Sequence, residues 1–370
     1  MVGSVANLGP KDIAGYVAVA RCAAVRDGKG LRAALDSLAD PLEVIARELV
    51  RHQLLPTALA TLRDAEDQLW VPRLEGVVQG LEPRHRNWSQ AVLAGFAEVS
   101  GALRSAGVEA LVLKGPILAV RLYGGLERRP QADLDILVMR ARRRDAERAL
   151  RAIGYERARR DQHAFVLRRG DARVDLHWAI RSAPAYRFDE PSIWRDCPAA
   201  EVMGVPVRTL SDEYLLALLS VGLAEDAGIG MVKLKQLIDL WLLARELDDR
   251  LAWDAWFERR QPERIDEVAA AGLWLMLAAT RGATEMPHLA AALGARTRRD
   301  GRDAAPQRAL DLLAAPRHDP ASRRWFADAY PGSLAVLRLH SLAAGLPHSL
   351  LEARLLRGLR RSAVPARAGR

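Results

Sequence analysis

Lysine is scarce in this chain. Of the 55 Lys and Arg residues among 370, five are Lys (Lys11, Lys29, Lys114, Lys233 and Lys235) and 50 are Arg. Such an Arg bias, with abundant Ala and Leu, reads as the coding bias of a GC-rich genome, so each Lys hints at a chemical requirement. Cysteine is nearly absent. Cys22 and Cys197 exclude a disulfide framework and a cysteine metal cluster, and they fit a reducing compartment. No apolar run reaches the roughly 18–20 residues of a membrane helix. Met1 to Lys11 shows no basic stretch followed by an apolar run. A soluble, cytoplasmic protein without membrane contact is the expectation. P-loop, Gly-x-Ser-x-Gly and dinucleotide fingerprints are missing from the central acidic region, which argues against kinase-type, hydrolase and dehydrogenase readings.

Half of the sequence is hydrophobic and 27% is charged. That composition is globular, and the length allows two or three packed units. The net charge is +9, with 46 acids against the 55 basic residues. Most of the surplus is spread along the chain, as on solvated faces. Two segments concentrate it. Arg140 to Arg160 holds nine Arg, and the tail beyond Glu352 holds six. Oligomeric state has no sequence signal.

Apolar spacing of three and four predicts helices over Leu31–Ala39, Pro41–Gln53, Pro56–Leu69 and Trp88–Ala106. At Gly107 the texture changes. Val108–Leu113 reads as a strand, Pro116 to about Tyr123 as a helical stretch ended by Gly124-Gly125, and Asp133–Met139 as a second strand. Arg142–Ile153 is an amphipathic helix. His163–Arg169 and Ala172–Ile180 form a hairpin around Gly170-Asp171. Val205–Arg208 reads as an edge strand, where Pro206 is tolerated. Helices resume at Ser211-Asp212-Glu213, which has cap-type chemistry, and Met231–Leu247 is another. The expected plan is an N-terminal helical region (1–106), a small α/β core (107–210), a C-terminal helical region (211–360) and a basic flexible tail (361–370).

Three elements of the core carry chemistry. Leu113-Lys114-Gly115-Pro116 sits at a strand-to-helix junction. Gly115 allows close approach of the backbone to a ligand, and Lys114 adds a compact charge suited to phosphate. The same residues also suit a plain helix start. In Asp133-Leu134-Asp135-Ile136-Leu137-Val138, strand alternation puts Asp133 and Asp135 on one face. Two such carboxylates repel, so they call for a cation between them or for solvent at a strand end. Oxygen ligands of this kind suit Mg²⁺ on a nucleotide phosphate, with Mn²⁺ as substitute. In Arg173-Val174-Asp175-Leu176-His177-Trp178, Asp175 and His177 share a face, with Val174, Leu176 and Trp178 turned to the core. Three carboxylates holding two metals is an arrangement for nucleotidyl transfer.

Taken in order, Lys114-Gly115, Arg129-Pro130-Gln131-Ala132-Asp133-Leu134-Asp135-Ile136-Leu137-Val138, His163 and Val174-Asp175-Leu176-His177-Trp178 resemble the uncharacterised nucleotidyltransferase family of the DNA polymerase β-like superfamily. The resemblance covers about Gly107 to Ile180. It implies an α+β fold, a minimal palm with helical flanks. It implies metal-dependent transfer of a nucleoside monophosphate from an NTP, with pyrophosphate released. Asp133 and Asp135 match the metal pair and Asp175 the third acid. Lys114 and Gly115 match the phosphate turn, and Arg129 a basic position of this subfamily. Pro116 departs from the superfamily's Gly-Ser or Gly-Gly, and the stretch Ile117–Ala132 is long. The acceptor is left open: tRNA or another nucleic acid, a protein, a peptide or a small molecule.

Lys235 and Asp239 lie four apart on one helix side. They either lean over the nucleotide, as in superfamily relatives, or pair with each other at the surface. Lys233 lies about 200° around the helix from Lys235 and faces elsewhere. His177 either orients Asp175 or meets the base or acceptor, and His163 lies across the hairpin. Trp70, Trp88, Trp194, Trp241, Trp253, Trp256, Trp274 and Trp325 read as core or interface anchors. Two rival functions remain: a basic nucleic-acid-binding module built on Arg142–Arg151 and the tail, and a catalytically inactive nucleotide sensor.

Overall fold

The structure, a computed structural model, describes residues 10–78, 83–161, 163–181, 186–299 and 306–314. The tail 361–370, Trp325 and the helical pattern beyond Ala314 lie outside the described residues.

Helices come first in the chain: α1 (Pro10–Ala24), α2 (Gly28–Asp36), α3 (Leu42–Arg51), α4 (Leu55–Asp64), α5 (Trp70–Val78) and α6 (Pro83–Ser105). The α/β segment follows with β1 (Ala110–Val112), a short α7 (Pro116–Leu118), β2 (Leu134–Val138), α8 (Arg143–Ala152), β3 (Glu156–Arg160), β4 (Ala164–Arg169) and β5 (Ala172–His177). It continues through α9 (Glu190–Asp196), β6 (Ala199–Val202) and β7 (Val205–Thr209). Helices α10 (Asp212–Gly228), α11 (Leu234–Leu247), α12 (Trp253–Arg260), α13 (Asp266–Thr280), α14 (Pro287–Arg299) and α15 (Pro306–Ala314) complete it. This is an α+β fold.

The strands form one mixed sheet in the order β3-β4-β5-β2-β1-β7-β6. β2 runs parallel to β5, and β1 parallel to β7; the other pairs are antiparallel. β7 is therefore internal, and β6 is the edge. Pro206 is nonetheless tolerated, because β1 pairs with β7 only at Arg208 and Thr209. The Pro lies beyond that ladder and removes no hydrogen bond from it.

Each face of the sheet packs on a separate core. On one face, Val112, Ile136, Val174 and Leu176 pack with Phe96, Val99 and Leu103 of α6 and Leu150 of α8. On the other, Leu111, Leu113 and Leu137 join a larger cluster. That cluster draws on both ends of the chain: Tyr16 and Leu31 early, Leu237, Trp241 and Met276 late. Helices α1, α11, α13 and α15 meet there. Trp241, Trp256, Trp70 and Trp253 are buried in it, while Trp194 and Trp274 pack against it half-buried.

Several bounds shift from the sequence expectation. The helical stretch after Gly115 keeps its limits, but it widens from α7 into a π-type turn over Ala119–Tyr123. It ends on Gly124, left-handed at φ 73°. α11 starts at Leu234 instead of Met231, with Lys233 as its extended N-cap. Ser211 does precede α10, although its side chain makes no cap bond.

Candidate nucleotide and metal site

β2 and β5 lie side by side, and their register places Asp135 directly opposite Asp175. Alternation turns Leu134 and Ile136 of β2, and Val174 and Leu176 of β5, into the α6–α8 core. Asp135, Asp175 and His177 therefore project from the other face, beneath the helices of both chain ends. β5 alternates buried and half-buried residues along its whole length, as this requires.

Asp135 is 5% exposed. A buried carboxylate must be partnered. Its Oδ1 lies 3.1 Å from His177 Nε2, and its Oδ2 lies 3.3 Å from Lys114 Nζ. That Oδ2 is buried, and the Lys114 ammonium is what balances it. Burial works to raise the Asp135 carboxyl, but Lys114 and His177 outweigh it and hold it well below the usual range. Asp133, just before β2, goes the other way. Burial and the neighbouring Asp135 raise it, against the pull of Lys114. Asp135 in turn raises the Lys114 ammonium, against burial. Ligand atoms of Asp135, Asp175 and His177 lie within 4.8 Å of one another. The donor set of Asp135, Asp175 and His177 fits a divalent cation, and Asp133 is not part of that cluster.

Arg173 completes this half of the site, and it was not singled out in the sequence. Its Nε and Nη2 clasp both oxygens of Asp175, at 2.8 and 2.5 Å. Its Nη2 also stands 3.7 Å from Asp133 Oδ2. The signal was available, since Arg173 precedes Asp175 by two on the same strand and so shares its face.

Gly115 sits at φ 72°, in the left-handed region. A Cβ there would come within 2.9 Å of Gln131 Oε1, so glycine is required on two grounds. Arg129 and Asp239, expected at the triphosphate, spend their polar atoms on each other instead. Arg129 Nε and Nη2 donate to the two oxygens of Asp239 at 2.8 and 2.7 Å. Arg129 Nη1 donates to Gln131 Oε1 at 3.1 Å and, more loosely at 3.4 Å, to the Gly115 carbonyl. Tyr123 donates its hydroxyl to Asp239 Oδ1 at 2.8 Å. Arg129 is 3% exposed and Asp239 1%. The pair ties α11 to the Gly115 turn and takes up most of the Arg129 donors.

Lys235 does not pair with Asp239 at the surface. Its ammonium is turned to the loop before Asp133, donating to the Pro130 carbonyl at 3.3 Å. Burial, then the nearby Arg129, lowers it to about 7. Lys233 is exposed at the N-cap, on another side. The His163 ring lies 5.5 Å from the His177 ring, and burial, then His177, lowers it to about 4. A second cluster, Asp248, Asp249 and His288, has a structural cause. Asp248 accepts the backbone N–H groups of His288 and Leu289 and so caps α14.

Residues 41–279 match the family described as uncharacterised nucleotidyltransferase. The chain belongs to that family. No curated protein matches it. Among solved structures, the solution structure of the antibiotic-resistance factor ANT(2'')-Ia is 20% identical, covering 46% of this chain and 88% of that one, with a TM-score of 0.36. The crystal structure of ANT(2'')-Ia in complex with adenylyl-2''-tobramycin is 19% identical over 55% and 97%, with a TM-score of 0.30. An antigenic nucleotidyltransferase-like protein from Paracoccidioides brasiliensis is 16% identical over 56% and 94%, with a TM-score of 0.35. These likenesses are loose. Membership of the uncharacterised nucleotidyltransferase family, together with the mixed sheet and its helical flanks, agrees with the polymerase β-like assignment.

Proposed function

We propose that the protein transfers a nucleoside monophosphate from an NTP to a hydroxyl acceptor, with Mg²⁺ or Mn²⁺ as cofactor. The supporting observation is the in-register pair Asp135 and Asp175, whose ligand atoms cluster with that of His177 within 4.8 Å. In this reading 107–210 is the catalytic core, and 1–106 and 211–360 are its helical flanks.

Asp133, Asp135 and Asp175 are the residues that would hold the divalent ion. Such an ion, when bound, offsets the triphosphate charge and acidifies the acceptor hydroxyl. Asp175 accepts the hydroxyl proton on a carboxylate oxygen. The acceptor oxygen bonds to the α-phosphorus as the bond to the bridging oxygen breaks, and pyrophosphate leaves with that electron pair. Lys114 supplies a point charge to the departing half, and Gly115 lets the backbone come close to it. His177 holds Asp135 in place and shields it from water, with His163 behind. Arg129 and Asp239 act at one remove, by fixing the Gly115 turn. Lys235 lies close enough to feel Asp133, and an arriving polyanion favours its charged form.

Nucleic-acid, protein, peptide and small-molecule hydroxyls all satisfy this chemistry. Cys22 and Cys197 are free, which fits a reducing, cytoplasmic setting. No helix among the described residues is long and apolar enough to cross a membrane.

One observation favours a second reading, the nucleic-acid-binding module. β3 is an edge strand of five exposed residues, among them Arg157, Arg159 and Arg160. RNA binding with a steep salt dependence, unaffected by Asp133→Asn, would support it. The main reading is tested by incubating the protein with each α-³²P-labelled NTP and Mg²⁺ in cell extract. Label in protein, RNA or a small molecule identifies the acceptor class, and no label in any fraction counts against transfer.

A further inference from the structure

Two internal cations serve the carboxylates of the site, one at Asp135 and one at Asp175, and Asp133 feels both. Asp135 is served by Lys114 and His177. Asp175 is clasped through both oxygens by Arg173, whose Nη2 also faces Asp133. The two cations differ in kind. Lys114 meets the Asp135 Oδ2 as a single point charge on a flexible stem, at 3.3 Å, so it can shift aside without breaking a two-toothed clasp. Arg173 uses a planar fork that engages both oxygens of Asp175. Each oxygen gives one lone pair to the fork and keeps another, but the guanidinium charge beside it opposes a second cation.

We propose that Arg173 is an internal counter-ion that occupies the Asp175–Asp133 half of the site and competes there with a divalent cation. The inference rests on the metal-dependent reading above and extends it. In nucleotide-free protein, metal enters by the Asp135 half, and full loading requires the guanidinium to let go of Asp175. An incoming triphosphate, itself a polyanion, offers Arg173 another partner. Loading of the acceptor-side half is thereby linked to the arrival of nucleotide. Arg173 is a positioning residue in this scheme. It acts on Asp175 and Asp133 and takes no proton.

The test uses Mn²⁺ alone as probe, with full-length protein and no nucleotide, read by electron paramagnetic resonance of free Mn²⁺. Arg173→Met removes the guanidinium at similar length. It is expected to bind Mn²⁺ at least ten-fold more tightly than wild type, or to gain a second bound ion. Arg173→Lys cannot form the two-toothed clasp and is expected to fall between them. Removing Arg173 also leaves neighbouring carboxylates uncompensated. Thermal melting provides the second readout: Arg173→Met melts lower than wild type in EDTA and gains more from Mn²⁺. Asp135→Asn separates the two layers of the argument. Mn²⁺ binding that needs Asp135 but is unchanged or weaker in both Arg173 variants overturns the counter-ion proposal alone. Absence of Asp135-dependent Mn²⁺ binding in wild type and variants alike overturns the metal-dependent reading, and the proposal with it.

Discussion

Asp135 and Asp175 stand opposite each other on adjacent parallel strands, although 40 positions of sequence separate them. Parallel pairing needs a crossover connection, and here it runs through α8 and the β3–β4 ladder. Both carboxylates end up on the face away from the α6–α8 core. Each is matched by a cation, Lys114 on one and Arg173 on the other. The apolar residues between them, Leu134, Ile136, Val174 and Leu176, fix the register by burial. A slip of one residue would turn the acids into the core.

The Gly115 turn gives the first prediction. Gly115→Ala forces a side chain onto a backbone at φ 72° and into Gln131. Gly170, at φ 56° with nothing within 4 Å of an added Cβ, carries the backbone strain alone. Gly170→Ala should lose about 1–2 kcal/mol of stability, and Gly115→Ala more, since its ψ of −110° lies outside the left-handed helical well and its added Cβ meets Gln131. Only Gly115→Ala should also lose NTP-dependent labelling. Equal labelling by the two would remove the phosphate role of this turn.

The buried pair Arg129–Asp239 gives the second. Arg129→Met leaves the Asp239 carboxylate without its clasp, at a cost of about 3–5 kcal/mol. The double variant Arg129→Met/Asp239→Leu removes both charges and should recover much of that loss. Urea denaturation of the two singles and the double measures the coupling. Additive losses would show that the pair does not act as a unit.

Lys235 gives a dependence on pH. Its ammonium titrates at about 7 in the folded protein against an ordinary value of 10.5. Between those values the unfolded chain holds more protons than the folded one, so stability rises with pH across this window. Below about pH 7 both states are protonated and the penalty is complete. Lys235→Met should raise the melting temperature at pH 6 and change it little near pH 10.5. A constant difference at all pH values would place the ammonium in water.

Much of this site could be read from the order of residues, because strand alternation is local. Asp133-Leu134-Asp135 and Val174-Asp175-Leu176-His177 declare their faces without any tertiary information. The same rule would have found Arg173. Other features had no local signal. β3, Glu156–Arg160, has four charged residues in five and no apolar alternation. It is a strand because β4 offers an open edge, with a bulge between Arg157 and Arg159. β6 is shorter still, at four residues, and depends on β7. Arg129 and Asp239 lie 110 positions apart, so nothing in either segment shows that they neutralise each other. Lys235 was singled out by its rarity, yet its separation from Asp239 depends on that distant arginine.

The most direct test of the central claim compares wild type, Asp135→Asn and Asp248→Asn in α-³²P-NTP labelling, with circular dichroism to confirm folding. Asp248 belongs to the other acid–histidine cluster, whose role is to cap α14. The account predicts labelling by wild type, a loss on the order of 100-fold or more in Asp135→Asn, and retained labelling in folded Asp248→Asn. Full labelling by a folded Asp135→Asn protein would contradict it.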